Sequence, residues 1–178
     1  MKKKGLGKRK IGFLLLWLQG IIACAEFPVS DIPDSLLIDA DAVIRRNQVY
    51  FRYDSENTGH MECLVAVTIL NEKGREIGDF ACYTDDFREL KRFAGTIYDR
   101  TGKKLREIRK SELFSTQFSS HLATDDWSHS YECRLGIYPY TVCYEYEMKY
   151  KNGMIGFPTF IPLYSWRTAL QESSYCLD

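Results

Sequence analysis

Between residues 42 and 53 the side chains alternate, with Val49, Phe51 and Tyr53 on one side and Ile44, Gln48, Tyr50 and Arg52 on the other. A period of two predicts a strand with one buried face. Asn57-Thr58-Gly59 turns the chain into 61–70, rich in β-branched residues. That stretch stops at Asn71-Glu72-Lys73-Gly74, a turn whose glycine can take positive φ, and a hairpin is expected. The pattern breaks at 84–90, where Asp86, with Glu89 three residues on, has the form of a helix N-cap and its partner. One short helix is expected there. Residues 93–98 and 104–108 read as two strands about Asp99-Arg100-Thr101-Gly102, followed by 111–118 and a polar stretch to Ser130. The last clear strands are 131–135 and 140–150. In the second of these Val142, Tyr144, Tyr146, Met148 and Tyr150 share a face opposite Cys143, Glu145, Glu147 and Lys149, so one side is packed and one is wet. Asn152-Gly153 ends it, and 174–178 looks like the first half of a further strand. Many short strands and frequent glycine turns predict an all-β, mainly antiparallel, β-sandwich-like fold with one short helix.

The first 25 residues are of another kind. Lys2, Lys3, Lys4, Lys8, Arg9 and Lys10 precede an apolar run from Ile11 to Ala23, which ends in Ala23-Cys24-Ala25. Basic head, short apolar stretch and small residues are the parts of a bacterial export signal. As a helix the run would rise only about 20 Å, against roughly 30 Å of bilayer hydrocarbon, which makes a permanent span the poorer reading. Ala23-Cys24-Ala25 fits simple cleavage before Glu26, and Ile21-Ile22-Ala23-Cys24 also resembles a lipoprotein box with Cys24 as the acylated residue. Cleavage would free the domain in the periplasm or envelope; lipidation would hold it at a membrane surface. The chain divides accordingly into a signal (1–25), a linker (26–40) that carries Pro28 and Pro33, and one domain (41–178), whose closing half-strand reads as a truncation at its C-terminus.

Removal of the six basic residues of the signal leaves 18 Lys and Arg against 24 Asp and Glu, a net charge of −6. That balance argues against nucleic acid, which needs a positive surface. Five cysteines then remain, Cys63, Cys82, Cys133, Cys143 and Cys176, with no Cys-x-x-Cys among them. Neither a zinc ribbon nor a redox pair is supported, and connectivity is open between an internal disulfide and buried free thiols.

The segment from Glu89-Leu90-Lys91-Arg92-Phe93-Ala94-Gly95-Thr96-Ile97-Tyr98-Asp99 through Gly102-Lys103 and Ile108 to Lys110-Ser111-Glu112-Leu113, together with Leu122-Ala123-Thr124-Asp125-Asp126 and Tyr138-Pro139-Tyr140-Thr141-Val142, has a family counterpart. It resembles the exported domain of unknown function found before transglutaminase-like domains in Gram-negative bacterial proteins. The resemblance implies a fold and a setting, with a downstream or partner transglutaminase-like domain. None of the matched residues is catalytic in that family, whose Cys-His-Asp set belongs to the domain that follows.

Candidate chemistry within the chain is sparse. His129, with Cys133 and Asp125, is the nearest approach to a thiol–imidazole set, but four residues of extended strand separate the His and Cys by about 13 Å. With His121 added, the same group is a weak metal candidate. Asp85-Asp86 and Asp125-Asp126 suit capping and turns. Lys103, Lys104, Arg106, Arg109 and Lys110 flank a hairpin, where charge keeps a sheet edge from pairing. Aromatic residues are abundant, and Trp127, Tyr138, Tyr140, Tyr164 and Trp166 lie near loops as candidate ligand contacts. The expected function is that of a non-catalytic exported module that docks a transglutaminase-like domain. It requires no cofactor, and any enzyme would lie beyond the chain. A glycan- or peptide-binding envelope protein and the N-terminal piece of a cysteine hydrolase are the alternatives.

Overall fold

The computed structural model describes residues 27–117, 126–153, 156–163 and 165–178. Their strands are β1 (Ala42–Ser55), β2 (Thr58–Ile69), β3 (Phe80–Thr84), β4 (Arg88–Tyr98), β5 (Lys104–Arg109), β6 (Phe114–Gln117), β7 (Trp127–Tyr131), β8 (Tyr140–Tyr150), β9 (Thr168–Leu170) and β10 (Ser173–Leu177). The larger sheet runs β10-β1-β2-β8-β4-β5, with β9 also on β1, and the smaller runs β3-β7-β6. Every ladder is antiparallel except those of β9 and β10 on β1. The fold is therefore all-β and layered, as the alternation implies, although the two layers are unequal.

Register carries the alternation across the large sheet. Phe51 pairs with Met61, Met61 with Met148, and Met148 with Leu90, so one apolar row crosses four strands. The next row is Val49, Cys63, Tyr146 and Phe93. Both face inward, because a pleated strand sends every second side chain to the same side. The small sheet closes this face through Phe80, whose ring lies 4.6 Å from Phe93, 5.3 Å from Tyr144 and 5.2 Å from Tyr146, centroid to centroid. Aromatic pairs at such separations contribute about 0.5–1.5 kcal/mol beyond the area they bury.

The opposite face has a smaller core of Leu64, Ala66, Tyr98 and Cys143 gathered about Phe27. Here the stretch expected as a linker is laid against the sheet. The Phe27 carbonyl lies 3.4 Å from Thr141 Oγ1, and the Arg45 and Arg46 guanidinium groups stand 5.7 and 5.8 Å from its ring centroid. Cys143, expected on the wet side of β8, is buried beneath this segment; Glu145, Glu147 and Lys149 keep partial access to solvent.

Three local expectations are corrected. Asp85–Phe87 is a turn: the Asp85 carboxylate accepts from the Phe87 amide (2.8 Å), and the Asp85 amide donates to the Arg88 carbonyl (3.0 Å). An aspartate that bonds its backbone two residues on makes an Asx turn with the same residues that would cap a helix. The short helix lies elsewhere, as the 3-10 segment Glu72–Gly78, where the Asn71 side chain accepts from the Lys73 amide. The hairpin expected from 42–53 and 61–70 forms as β1 and β2, and the chain leaves β2 through that 3-10 segment. Gly74 serves close approach there, for a Cβ would stand 2.1 Å from the Asp41 carbonyl oxygen. Finally, the strand expected at 131–135 is displaced to Trp127–Tyr131, as its polar Ser128, His129 and Ser130 pair on both sides within the small sheet. Gly74, expected to take positive φ, does not; positive φ occurs instead in the turns at Gly102 (86°) and Gly153 (117°).

Truncating Phe80 removes the main contact between the sheets. Phe80→Ala is expected to lower unfolding free energy by about 3–5 kcal/mol in urea titration, whereas Leu105→Ala, on an exposed side chain of β5, is expected to change it by no more than about 0.5 kcal/mol. Equal effects would refute this packing.

Candidate functional site

Where the small sheet meets the large one, four parts of the chain enclose a groove of about 290 Å³. Thr84 of β3, with Asp85 and Asp86, forms one wall; Arg88, Glu89 and Leu90 of β4 form the next; Trp127 and His129 come from β7; Lys110 and Lys151 close the rim. The turn at Asp85–Phe87 brings these groups together. It joins the two sheets, and the Lys151 amide donates to the Phe87 carbonyl (2.9 Å) while Asn152 Nδ2 donates to the Asp86 carbonyl (2.8 Å).

Charges of both signs are held by local partners. Arg88 Nε donates to Asp85 Oδ2 at 2.9 Å, and the Lys110 ammonium donates to the Leu90 carbonyl. The hydrogen bond from Lys91 holds the Glu89 carboxyl below its ordinary range, with Lys151 and Lys110 adding to the effect. Lys151 Nζ lies 3.8 Å from Glu89, a looser pair.

His129 forms part of the groove lining. Register places it opposite Cys82 on β3 and Ser115 on β6, so the three side chains share one face of the small sheet. Nε2 is 2.9 Å from Thr84 Oγ1 and Nδ1 is 2.7 Å from Ser115 Oγ. A neutral imidazole donates from one nitrogen and accepts at the other, and two hydroxyls, each able to donate and to accept, satisfy it. Partial burial, reinforced by the Lys110 charge, lowers its pKa.

The aromatic candidates do not converge. Trp127, 42% exposed, is in the groove. Tyr140 is 1% exposed and its hydroxyl donates to the Cys133 carbonyl (3.1 Å), so it is a core anchor and the expectation of a surface contact is corrected. Tyr138, half-buried, lies with its ring 5.7 Å from that of Tyr140. Trp166 is 95% exposed, beside β9 and apart from the groove lining. Tyr164 and Cys24 lie outside the described residues, as do His121 and Asp125. The sequence reading missed Arg88, Lys110 and Lys151 as groove residues, because they come from separate elements and only the topology unites them.

The thiols are poorly placed for nucleophilic work. Burial pushes Cys63 up to about 11, Cys82 to about 12 and Cys133 to about 11. All three are free, as is the exposed Cys176. Cys133 lies beyond the end of β7, its amide held by Asp79 (3.1 Å), whereas His129 is bound to Thr84 and Ser115. Among the described residues no group of three or more His, Cys, Asp or Glu could hold a metal ion, and no helix is long and apolar enough to cross a membrane.

Fold and site together define a two-layered, mainly antiparallel β domain with a mixed-charge groove at its seam. No family model and no curated protein matches the chain. Its fold is similar to part of the crystal structure of a "putative protease" from Parabacteroides distasonis, at TM-score 0.53 and 10% identity. The match covers 64% of this chain and 24% of that one, so the chain spans about a quarter of that protein's length.

Two measurements follow from this geometry. His129 binds protons less readily folded than unfolded, so its contribution to stability is present above its unfolded value of 6.5 and is lost as pH falls through the lower folded value. Its NMR titration midpoint is expected below 6.5, and a midpoint above it would contradict the partial burial of the ring beside Lys110. An aromatic disulfide reagent at pH 8 should label Cys176 at once, and Cys63, Cys82 and Cys133 only in denaturant. Rapid labelling of the buried three would show that the core is open.

Proposed function

We propose that this chain is a non-catalytic, exported β domain that works by docking, as an accessory module of a transglutaminase-like protein. The carrying observation is a run of large apolar side chains left in water, Phe157, Ile161, Leu163 and Trp166, with Leu177 and Tyr53 also exposed. The loop that bears them lies along the β1–β10 edge. Phe157 packs 5.8 Å from Phe51 and 6.4 Å from Tyr53, and Phe160 packs 5.6 Å from Tyr175. Exposed apolar patches mark interaction surfaces, and Trp is prominent among residues that dominate binding.

Other observations support the same reading. The basic and apolar leader favours export to the periplasm or envelope, freed by cleavage or held by a lipid on Cys24. Likeness to about a quarter of a longer protein fits a module that works beside another domain. Thiols pushed to about 11 and 12 are mostly protonated at neutral pH, which fits a packing role better than an attacking one.

The test is calorimetric binding of the purified chain to the transglutaminase-like domain encoded in the same gene or beside it. Binding is expected, and Leu163→Asp with Trp166→Asp should weaken it about thirtyfold or more, the equivalent of about 2 kcal/mol for a dominant interface residue. No binding by the unaltered chain, or full binding by a folded double variant, would overturn the proposal.

A further inference from the structure

We infer that the groove at the seam of the sheets is a binding site for a short, neutral saccharide, with Trp127 as the platform for one sugar ring. The docking surface along β1 and β10 involves other residues, so the two readings stand or fall separately.

The indole comes first. Trp127 opens β7, the central strand of the small sheet, and is paired with Thr84 on one side and Gln117 on the other. Its backbone is thus held in two ladders while 42% of the residue stays open to solvent. A flat apolar face carried on a backbone held in this way suits the carbon–hydrogen face of a pyranose, whose rim carries the hydroxyls.

The groups around the indole are matched to that rim. Three carboxylates, Asp85, Asp86 and Glu89, are interleaved with three cations, Arg88, Lys110 and Lys151. A polyanion site would show an excess of cations, and a cation site would show carboxylates without ammonium groups among them. A hydroxyl both donates and accepts, and carboxylates supply only acceptors while Lys and Arg supply only donors, so a rim of both kinds serves a hydroxylated ring. Lys151, at 3.8 Å from Glu89, retains donors for a ligand. At about 290 Å³ the groove lies at the small end of ligand pockets, a size for one or two rings.

The floor is polar and set before any ligand arrives. Both nitrogens of His129 are engaged, by Thr84 and Ser115, and the Asp85 carboxylate is tied to Arg88 and to the Phe87 amide. Fixed polar groups of this kind lower the cost of binding, since little reorders on contact.

The test titrates the purified chain with cellobiose, chitobiose, maltose and mannobiose, and separately with triglycine and inorganic phosphate, following tryptophan fluorescence and the indole N–H signals by NMR. At least one disaccharide is expected to give a saturable response in which the Trp127 indole signal moves and the Trp166 signal does not. Trp127→Ala should weaken it by at least about tenfold, Trp127→Phe and Lys151→Ala by less, and Trp166→Ala not measurably. Should Trp127→Ala fail to fold, Trp127→Phe and Lys151→Ala carry the comparison. Absence of a saturable response to every disaccharide, a response to triglycine or phosphate in their place, or equal loss in Trp127→Phe and Trp166→Ala would overturn the assignment.

Discussion

Phe80 is the wedge on which the molecule depends. Its ring contacts Phe93, Tyr144 and Tyr146, and so fastens a three-stranded sheet onto the inner face of the large one. Small sheets have too little apolar face to stand alone, and this one also carries polar Ser115 and Thr116 on β6 and Ser128, His129 and Ser130 on β7. Without the aromatic contact the seam would open. The groove would go with it, since Thr84, Trp127 and His129 come from the small sheet and Arg88, Glu89 and Leu90 from the large one.

The two edges of the large sheet are treated differently. Lys104, Arg106, Glu107 and Arg109 fill most of β5, a charged edge that discourages pairing with other chains. β10, Ser173–Leu177, carries no charge, and the apolar loop around Phe157 and Phe160 lies beside it. A protected edge at one end and an unprotected, apolar border at the other give the molecule a direction in which association is favoured. The proposed docking surface lies at that border, and the proposed sugar groove lies apart from it.

Much of this fold was legible in the sequence where one face is buried and the other wet. The alternation of β8 identified Val142, Tyr144, Tyr146, Met148 and Tyr150 as the inner row, because a one-residue slip would expose all of them. The β4–β5 hairpin was legible through the turn Asp99-Arg100-Thr101-Gly102, where Gly102 has a φ of 86°. Failures came where one residue type serves two devices. Asp85 and Asp86 suit a helix cap and an Asx turn equally, and the demand of crossing from one sheet to the other selected the turn. Tyr140, read as the start of the strand 140–150 and also as a surface contact beside a loop, does begin β8 but is buried. Of the groove, Trp127 was visible as an aromatic in a polar stretch. Its charged neighbours were not, because Arg88, Lys110 and Lys151 are far apart in sequence and meet only through strand pairing.

The account treats the inner groups as structural. Buried thiols with raised pKa fill the core, a neutral histidine joins three strands, and paired carboxylates brace turns. Function is assigned to what remains at the surface, an apolar border and a shallow, balanced groove. The most direct measurement of that division is a hydrolysis assay of the purified chain against peptide and ester substrates, with and without a thiol-blocking reagent. The account predicts no turnover in either case; turnover that disappears on thiol modification would contradict it.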